Sequence, residues 1–293
     1  MSGRQPRPPK SSVTGAPIDA DWRMISDLAR VHEVSRRLRS RCEAIYGVMF
    51  NAPEYQGAYG MDTVQWYMAG RAAPLGDVQA EVACAVFGTF NPERVHAGLD
   101  GVWSRVPPER MVDLKLKSVG PGLAEAVPAG AELDEAIFIL SAALSRSPLA
   151  GAPLYAALSS LPVPLAPREH LWRLCDMVRE HRSDAHTSAW RSAGLDPVEV
   201  NVLNELWREA APGSISRTLM GWEAADTEAA QQRLEANGLA FGTAITPAGT
   251  RLREEIELST SRQQSAIVDG LGGHADRLIA LLDPWAHAVA DQS

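Results

Sequence analysis

The constraint that bears hardest on this chain is the order of elements written into residues 194–260. Asp196 is placed to cap a helix opening on Pro197, and Val198, Val202, Leu203, Leu206 and Trp207 then recur at helical spacing. A second, short helix is expected from Ser214, turning Ile215, Leu219 and Met220 inward and stopping at Gly221. A third is expected over residues 224–237, with Asn237-Gly238 as a left-handed stop. A strand (Leu239, Ala240, Phe241), a tight turn at Gly242 and a return strand (Ala244, Ile245) follow, and Thr246-Pro247-Ala248-Gly249 opens a charged helix through Ser259. That is the order of a winged helix.

A winged helix suggests DNA, and the charges of the segment oppose it. Residues 194–260 carry five arginines, no lysine and eleven carboxylates, a net charge of −6. The helix that would enter the major groove offers Glu223, Asp226, Glu228 and Glu235 against Arg233, whereas a groove reader must neutralise several phosphates. Between Phe241 and Ile245 no basic residue can reach a minor groove or a phosphate. The whole chain has a net charge of −8, and −11 without residues 1–17, whose only charges are Arg4, Arg7 and Lys10. An acidic body argues against nucleic acid and anionic membranes as partners.

The rest of the 293 residues read as one large or two modest domains, almost wholly helical. Residues 1–17, rich in proline, read as a disordered tail without the apolar core of a signal peptide. Residues 18–193 read as a helical domain with a candidate ligand cleft, 194–260 as the winged helix with its small β-hairpin, and 261–293 as a C-terminal helix ended near Pro284. The fold class expected is therefore mainly α. A long helix from about residue 20 to 48 carries the stripe Leu28, Val31, Val34, Leu38, Cys42, Ile45 and Val48, which either pairs with a second copy or closes the chain's own core. Further helices are expected over 62–70, 77–87, 92–106, 108–119 and 133–145, with Gly120, Pro121, Gly122, Pro128 and Gly130 marking a loop. Cys42, Cys84 and Cys175 read as reduced core residues, which favours a cytoplasmic setting. No apolar stretch is long enough to span a bilayer.

Two helices interrupt their own apolar stripes with charge. Tyr67 and Met68 lie on a stripe that Arg71 continues, and a guanidinium there needs an acid, carbonyl groups or an anionic ligand. From residue 168 to 193 the stripe Leu171, Leu174, Cys175, Val178, Ala185 and Ala189 passes through His181 and Arg182, with Asp184, His186 and Trp190 close by. Arg182 and His186 are four apart and line one surface; His181 and Asp184 are three apart and line another. His181 and His186 stand about 140° apart on an ideal helix, so one helix cannot gather them with Asp184 around a metal ion. Two readings remain: a hydrogen-bonded junction between helical layers, or a pocket in which Tyr67, Arg71, His181, Arg182, Asp184 and Trp190 hold a ligand and His186 acts as acid or base. Nucleophile-elbow, Walker, dinucleotide and HExxH signatures are absent, and no cofactor is indicated.

The run Arg233-Leu234-Glu235-Ala236-Asn237-Gly238-Leu239 followed by Ile245-Thr246-Pro247-Ala248-Gly249-Thr250 resembles the C-terminal half of a MarR-type winged helix. With Gly221-Trp222, Gly70-Arg71-Ala72-Ala73-Pro74-Leu75-Gly76 and Arg182-Ser183-Asp184-Ala185-His186, the chain is similar over most of its length to the actinobacterial SalK-like helix-turn-helix proteins. The resemblance implies a winged-helix scaffold, a homodimer with flanking helices packed together, and a place in specialised metabolism. Three functions fit: a metabolite-binding protein or enzyme that does not bind DNA, a ligand-responsive MarR-like regulator whose basic face is assembled from a dimer and the N-terminal tail, and a structural interaction module.

Overall fold

The computed structural model describes residues 27–51, 57 and 59–292. The tail at 1–17, the first turns of the expected long helix and Pro53 and Tyr55 lie outside them. Helix α1 (Leu28–Tyr46) is followed by α2 (Thr63–Ala72), α3 (Ala80–Phe87), α4 (Pro92–Leu99), the single turn α5 (Val102–Arg105) and α6 (Pro108–Ala126). Then come α7 (Ala131–Leu144), α8 (Pro153–Ser159), the 26-residue α9 (Pro167–Ser192), α10 (Pro197–Trp207) and α11 (Ala224–Ala236). Strands β1 (Ala240–Phe241) and β2 (Ala244–Ile245) pair antiparallel, Ala240 opposite Ile245 and Phe241 opposite Ala244. Helices α12 (Pro247–Arg262), α13 (Ser265–Leu271) and α14 (Ala275–Ala290) complete the chain. The protein is mainly helical with one small sheet, as its pattern requires.

Helix α9 is the axis, and α1, α6, α7, α8 and α12 all pack on it. Its first half joins one large core that runs from Val31 to Val289, with Trp66, Trp172, Tyr155 and Leu140 fully buried in it. The stripe of α1 (Val31, Val34, Leu38, Cys42, Ile45) is buried in that same core against α9 and α14, so a second copy would have to meet another surface. A smaller core of Val198, Val202, Leu203, Leu206, Ala230, Leu234 and Ala240 lies inside the winged unit. Ala189 and Trp190 at the end of α9, with Val200 and Ile256, tie that unit to the axis.

Four local expectations are corrected. The helix expected over 92–106 breaks into α4 and α5 at Asp100-Gly101, where Gly101 takes φ +62°. The loop expected at Gly120-Pro121-Gly122 lies inside α6, where Val119, Leu123 and Ala126 are buried and Gly122 seats closely on Val48. Helix α14 continues past Pro284, because Trp285, Ala286 and Val289 bury their side chains beyond it. In both helices core packing outweighs the roughly 3 kcal/mol that an internal proline costs.

The fourth correction concerns the short helix expected from Ser214, which is a run of turns over residues 212–219. The buried Glu205 carboxylate organises it, accepting from the backbone N–H groups of Gly213 (2.6 Å), Ile215 (2.7 Å) and Ser216 (2.6 Å) and from Ser216 Oγ (2.9 Å). A carboxylate fed by that many donors holds a turn as firmly as a helix cap does. The turn delivers Leu219 and Met220 to the helical body. There Asn91 N–H donates to Met220 O and Asn91 Nδ2 to Gly221 O, both at 2.9 Å, and the Trp222 indole donates to Thr89 O at 2.9 Å. Gly221 is needed at this seam: its φ is +81°, and a Cβ would sit 2.4 Å from Arg94 Cδ.

Candidate functional site

Along α9, residues 179, 182, 183 and 186 follow the helical repeat and form one face. That face looks into a cavity of about 260 Å³ whose other walls come from α1 (Arg39, Glu43), α2 (Tyr67, Arg71), the end of α3 and the loop after it (Phe87, Phe90), the winged unit (Asn204, Arg208, Leu219, Met220) and α12 (Arg253, Glu257). Tyr67, Arg71, Arg182 and His186 therefore border one space. A second, more apolar cavity of about 280 Å³ adjoins it, floored by Tyr46, Phe50, Val64 and Met68, and the two share Glu43, Tyr67, Phe90, Arg179 and Leu219.

The polar cavity is lined by six arginines, at 39, 71, 179, 182, 208 and 253, and by two glutamates, Glu43 and Glu257. Arg71 is buried and paired: its Nε and Nη2 donate to the two Glu180 oxygens at 2.8 Å each, and Nη2 also reaches Ser183 Oγ at 2.8 Å. Its guanidinium lies 4.5 Å from the Phe87 ring centre. Burial opposes the charge on Arg71, but Glu180 outweighs it and holds the guanidinium more firmly protonated than usual. Glu180 is in turn held well below the usual carboxylate range, because Arg179 and Arg71 outweigh the effect of its burial. Arg179 also meets Asp176 at 3.0 Å, and Lys115 reaches Asp176 at 3.5 Å.

On the opposite wall Arg182 Nη2 meets Glu257 at 2.6 Å and its Nη1 meets Gln264 at 3.2 Å, while Arg253 stacks over the Trp207 ring at 3.6 Å. Arg39 pairs with Glu43 at 2.9 Å. Among the described residues no carboxylate lies within 4 Å of Arg208. Counting Glu180 and Asp176 behind the wall, the six guanidinium groups still exceed the carboxylates that face them. Burial, then Arg39, Arg36 and Arg253, push the Arg182 guanidinium below its ordinary value against the pull of Glu257.

His186 sits among these cations and stays neutral. Burial pushes its pKa down to about 4, Glu257 raises it, and Arg182, Arg39 and Arg253 lower it further. Its Nδ1 is 3.3 Å from Thr260 Oγ1, and that hydroxyl donates its own hydrogen to Ile256 O at 2.8 Å. Nδ1 is therefore the protonated nitrogen, and Nε2 keeps a lone pair with no partner among the described residues.

Three expected site residues lie elsewhere. His181 faces α8 and the loop before it, with Nε2 2.7 Å from Ser147 Oγ and its ring edge-on to Tyr155; burial lowers its pKa to about 4. Asp184 accepts the backbone N–H groups of Leu154 and Tyr155 at 3.1 Å each, fastening the start of α8 to α9, and burial pushes it up to about 7. Trp190 is buried at the join with Val200 and Ile256. The helical wheel explains the division, since His181 and Asp184 lie on the face away from His186. Conversely, Arg39, Arg179, Arg253, Glu257 and Glu180 were not expected at the site. The polar repeat at 179, 182, 183 and 186 and the four-residue spacings of Arg39 to Glu43 and Arg253 to Glu257 were the signals that pointed there.

The other surface a winged unit offers is the outer face of α11. Glu223, Glu228, Gln232, Arg233 and Glu235 are exposed there, and Arg233 is already held by Asp196 at 2.5 Å and Glu199 at 3.0 Å. Phe241 stands exposed at the tip of the hairpin. Among the described residues no helix is long and apolar enough to cross a membrane.

No curated protein and no solved structure matches the chain. A family model described as a helix-turn-helix family matches residues 35–293, which takes in every wall of the cavity. The chain belongs to this helix-turn-helix family.

Proposed function

We propose that the protein binds an anionic small molecule with an apolar or aromatic body in the cleft between its helical body and its winged unit, and that the winged unit serves as a wall of that cleft instead of reading DNA. The observation that carries this reading is the excess of guanidinium groups around an internal space in a protein whose net charge is −8. The other five arginines share four carboxylates, and Arg208, exposed and without a carboxylate within 4 Å among the described residues, is left to meet an incoming anion. The adjoining apolar cavity gives such a ligand room for its body. His186, neutral and with a free lone pair, accepts a hydrogen bond from the ligand or removes a proton from it. The stretches that resemble SalK-like proteins support the same site, since Arg71, Arg182, Ser183 and His186 line it and Gly221-Trp222 forms its seam. A role in cytoplasmic specialised metabolism follows from that resemblance and from the free thiols of Cys42, Cys84 and Cys175.

The test is native mass spectrometry of freshly purified protein, paired with a gel-shift titration on upstream DNA at low salt. A retained small anion, released by salt and lost in Arg208→Ala and His186→Gln, is the expected result. A salt-sensitive DNA shift with no retained ligand would replace this reading with that of a transcription regulator. The acidic outer face of α11 and the pairing of Arg233 with Asp196 and Glu199 argue against that outcome.

A further inference from the structure

Every other deeply buried arginine in the core of this protein has a carboxylate partner: Arg71 has Glu180, Arg179 has Asp176 and Glu180, and Arg182 has Glu257. Arg173, in the second turn of α9, has none. Its side chain is buried, and its Nε and Nη1 hydrogens meet no acceptor among the described residues. Among the described residues no carboxylate lies within 4 Å of it, and Asp176, three residues on, attracts it only from farther away. An unpaired guanidinium removed from water costs several kcal/mol in a folded protein, so this position calls for an anion.

Arg173 borders a groove of about 380 Å³ on the opposite side of α9 from the arginine-lined cavity. Leu144, Tyr155, Leu158, Leu174 and Met177 give it an apolar floor, and the Pro162-Val163-Pro164 segment, stiffened by its prolines, forms one rim. Ser141 lies on the same groove, and its hydroxyl too is buried without a partner among the described residues. The two unpartnered polar groups of this wall are thus a fixed cation with spare hydrogens and a hydroxyl. Together on this groove they offer what a planar carboxylate takes, two hydrogen bonds from a guanidinium fork and a third from an alcohol.

We infer that this groove is a second small-molecule site, for a monocarboxylic acid with an apolar tail: the carboxylate lies against Arg173 and Ser141 and the tail along Leu144, Leu158 and Met177. It is separate from the arginine-lined cavity and stands or falls independently of that site's ligand.

The probe is octanoate, titrated calorimetrically into the full chain, with octanamide as the uncharged control of the same length. Saturable octanoate binding below about 1 mM, at least about tenfold weaker for octanamide, is expected. Arg173→Met and Ser159→Trp, the second filling the mouth of the groove from its exposed rim, should each weaken octanoate by about tenfold or more. Arg208→Ala, in the other cavity, should leave octanoate affinity unchanged. In the absence of ligand Arg173→Met should melt no lower than the parent, since it removes an uncompensated charge and keeps the volume. Failure of octanoate to saturate, equal affinity for octanamide, unchanged affinity in Ser159→Trp, or loss of binding through Arg208→Ala would overturn the assignment. A large drop in melting temperature for Arg173→Met would also overturn it, because Arg173 would then be a structural cation.

Discussion

Arg71 is both a wall of the cavity and half of a buried ion pair, and the second role decides what its removal does. Arg71→Ala would leave Glu180 buried with one of its two partners gone, a change that costs about 3–5 kcal/mol. We expect the urea midpoint of Arg71→Ala to fall sharply, whereas Arg208→Ala, on the cavity edge without a carboxylate partner, should stay within about 0.5 kcal/mol of the parent. A small effect of Arg71→Ala on unfolding would mean that Arg179 alone satisfies Glu180. The sequence showed that Arg71 needed a partner, because a guanidinium broke an apolar stripe. It could not show which one, because Glu180 is 109 residues away and only the packing of α2 on α9 brings them together. His181 and His186 divide as their separation on a helical wheel requires, yet which of the two would face a cavity depended on where α8 and α12 lie.

Elements were legible where period and capping agreed and illegible where glycine and proline punctuate a buried helix. Asp196 caps α10 with a full capping box to Glu199, Asn91 caps α4, and Thr246 caps α12, each as its residues imply. Gly120-Pro121-Gly122 and Pro284 misled because their neighbours are packed on both sides, which local propensity does not register. The turns at 212–219 were misread as a helix for a related reason: Ile215, Leu219 and Met220 have helical spacing, but the donors of the segment are turned toward Glu205. Glu205→Gln replaces one acceptor oxygen with a donor that faces backbone N–H groups, and should destabilise the winged unit by about 3 kcal/mol. Faster amide exchange confined to residues 213–220, with weaker ligand retention because Leu219 and Met220 line the cavity, is the pattern to look for. Unchanged exchange there would show that the turn stands without the carboxylate.

At the scale of the molecule, several titratable groups lie on α9 between layers, and they pull stability in opposite directions. His181 and His186 are held neutral with pKa values near 4 against an ordinary 6.5, so the unfolded chain takes up protons first as pH falls. Their contribution is complete above about pH 6.5 and is lost toward pH 4. Asp184, raised from 3.8 to about 7, does the reverse: the folded chain keeps a proton that the unfolded chain releases, so its effect turns increasingly unfavourable from about pH 4 to pH 7. Asp184→Asn keeps an acceptor for Leu154 and Tyr155 and cannot ionise. Its melting temperature should exceed the parent's by a margin that widens between pH 5 and pH 8, and a margin independent of pH would show that Asp184 is ionised in the fold. The global layout was only partly legible: a helical body and a winged unit could be read, but not that α1, α13 and α14 would share a core with residues 61–178.

The cavity also has no single address in the chain. Its walls are drawn from Arg39 at one end and Glu257 at the other, and the seam between Thr89, Asn91 and residues 220–222 holds them at a fixed separation. Neither half produced alone would carry a half-strength site, because each would present its cations to open water, where they bind little. Mixed together as complementary fragments, the halves should recover their shape and the proposed anion site in one step, so that such an anion would act as the glue of the reconstituted whole.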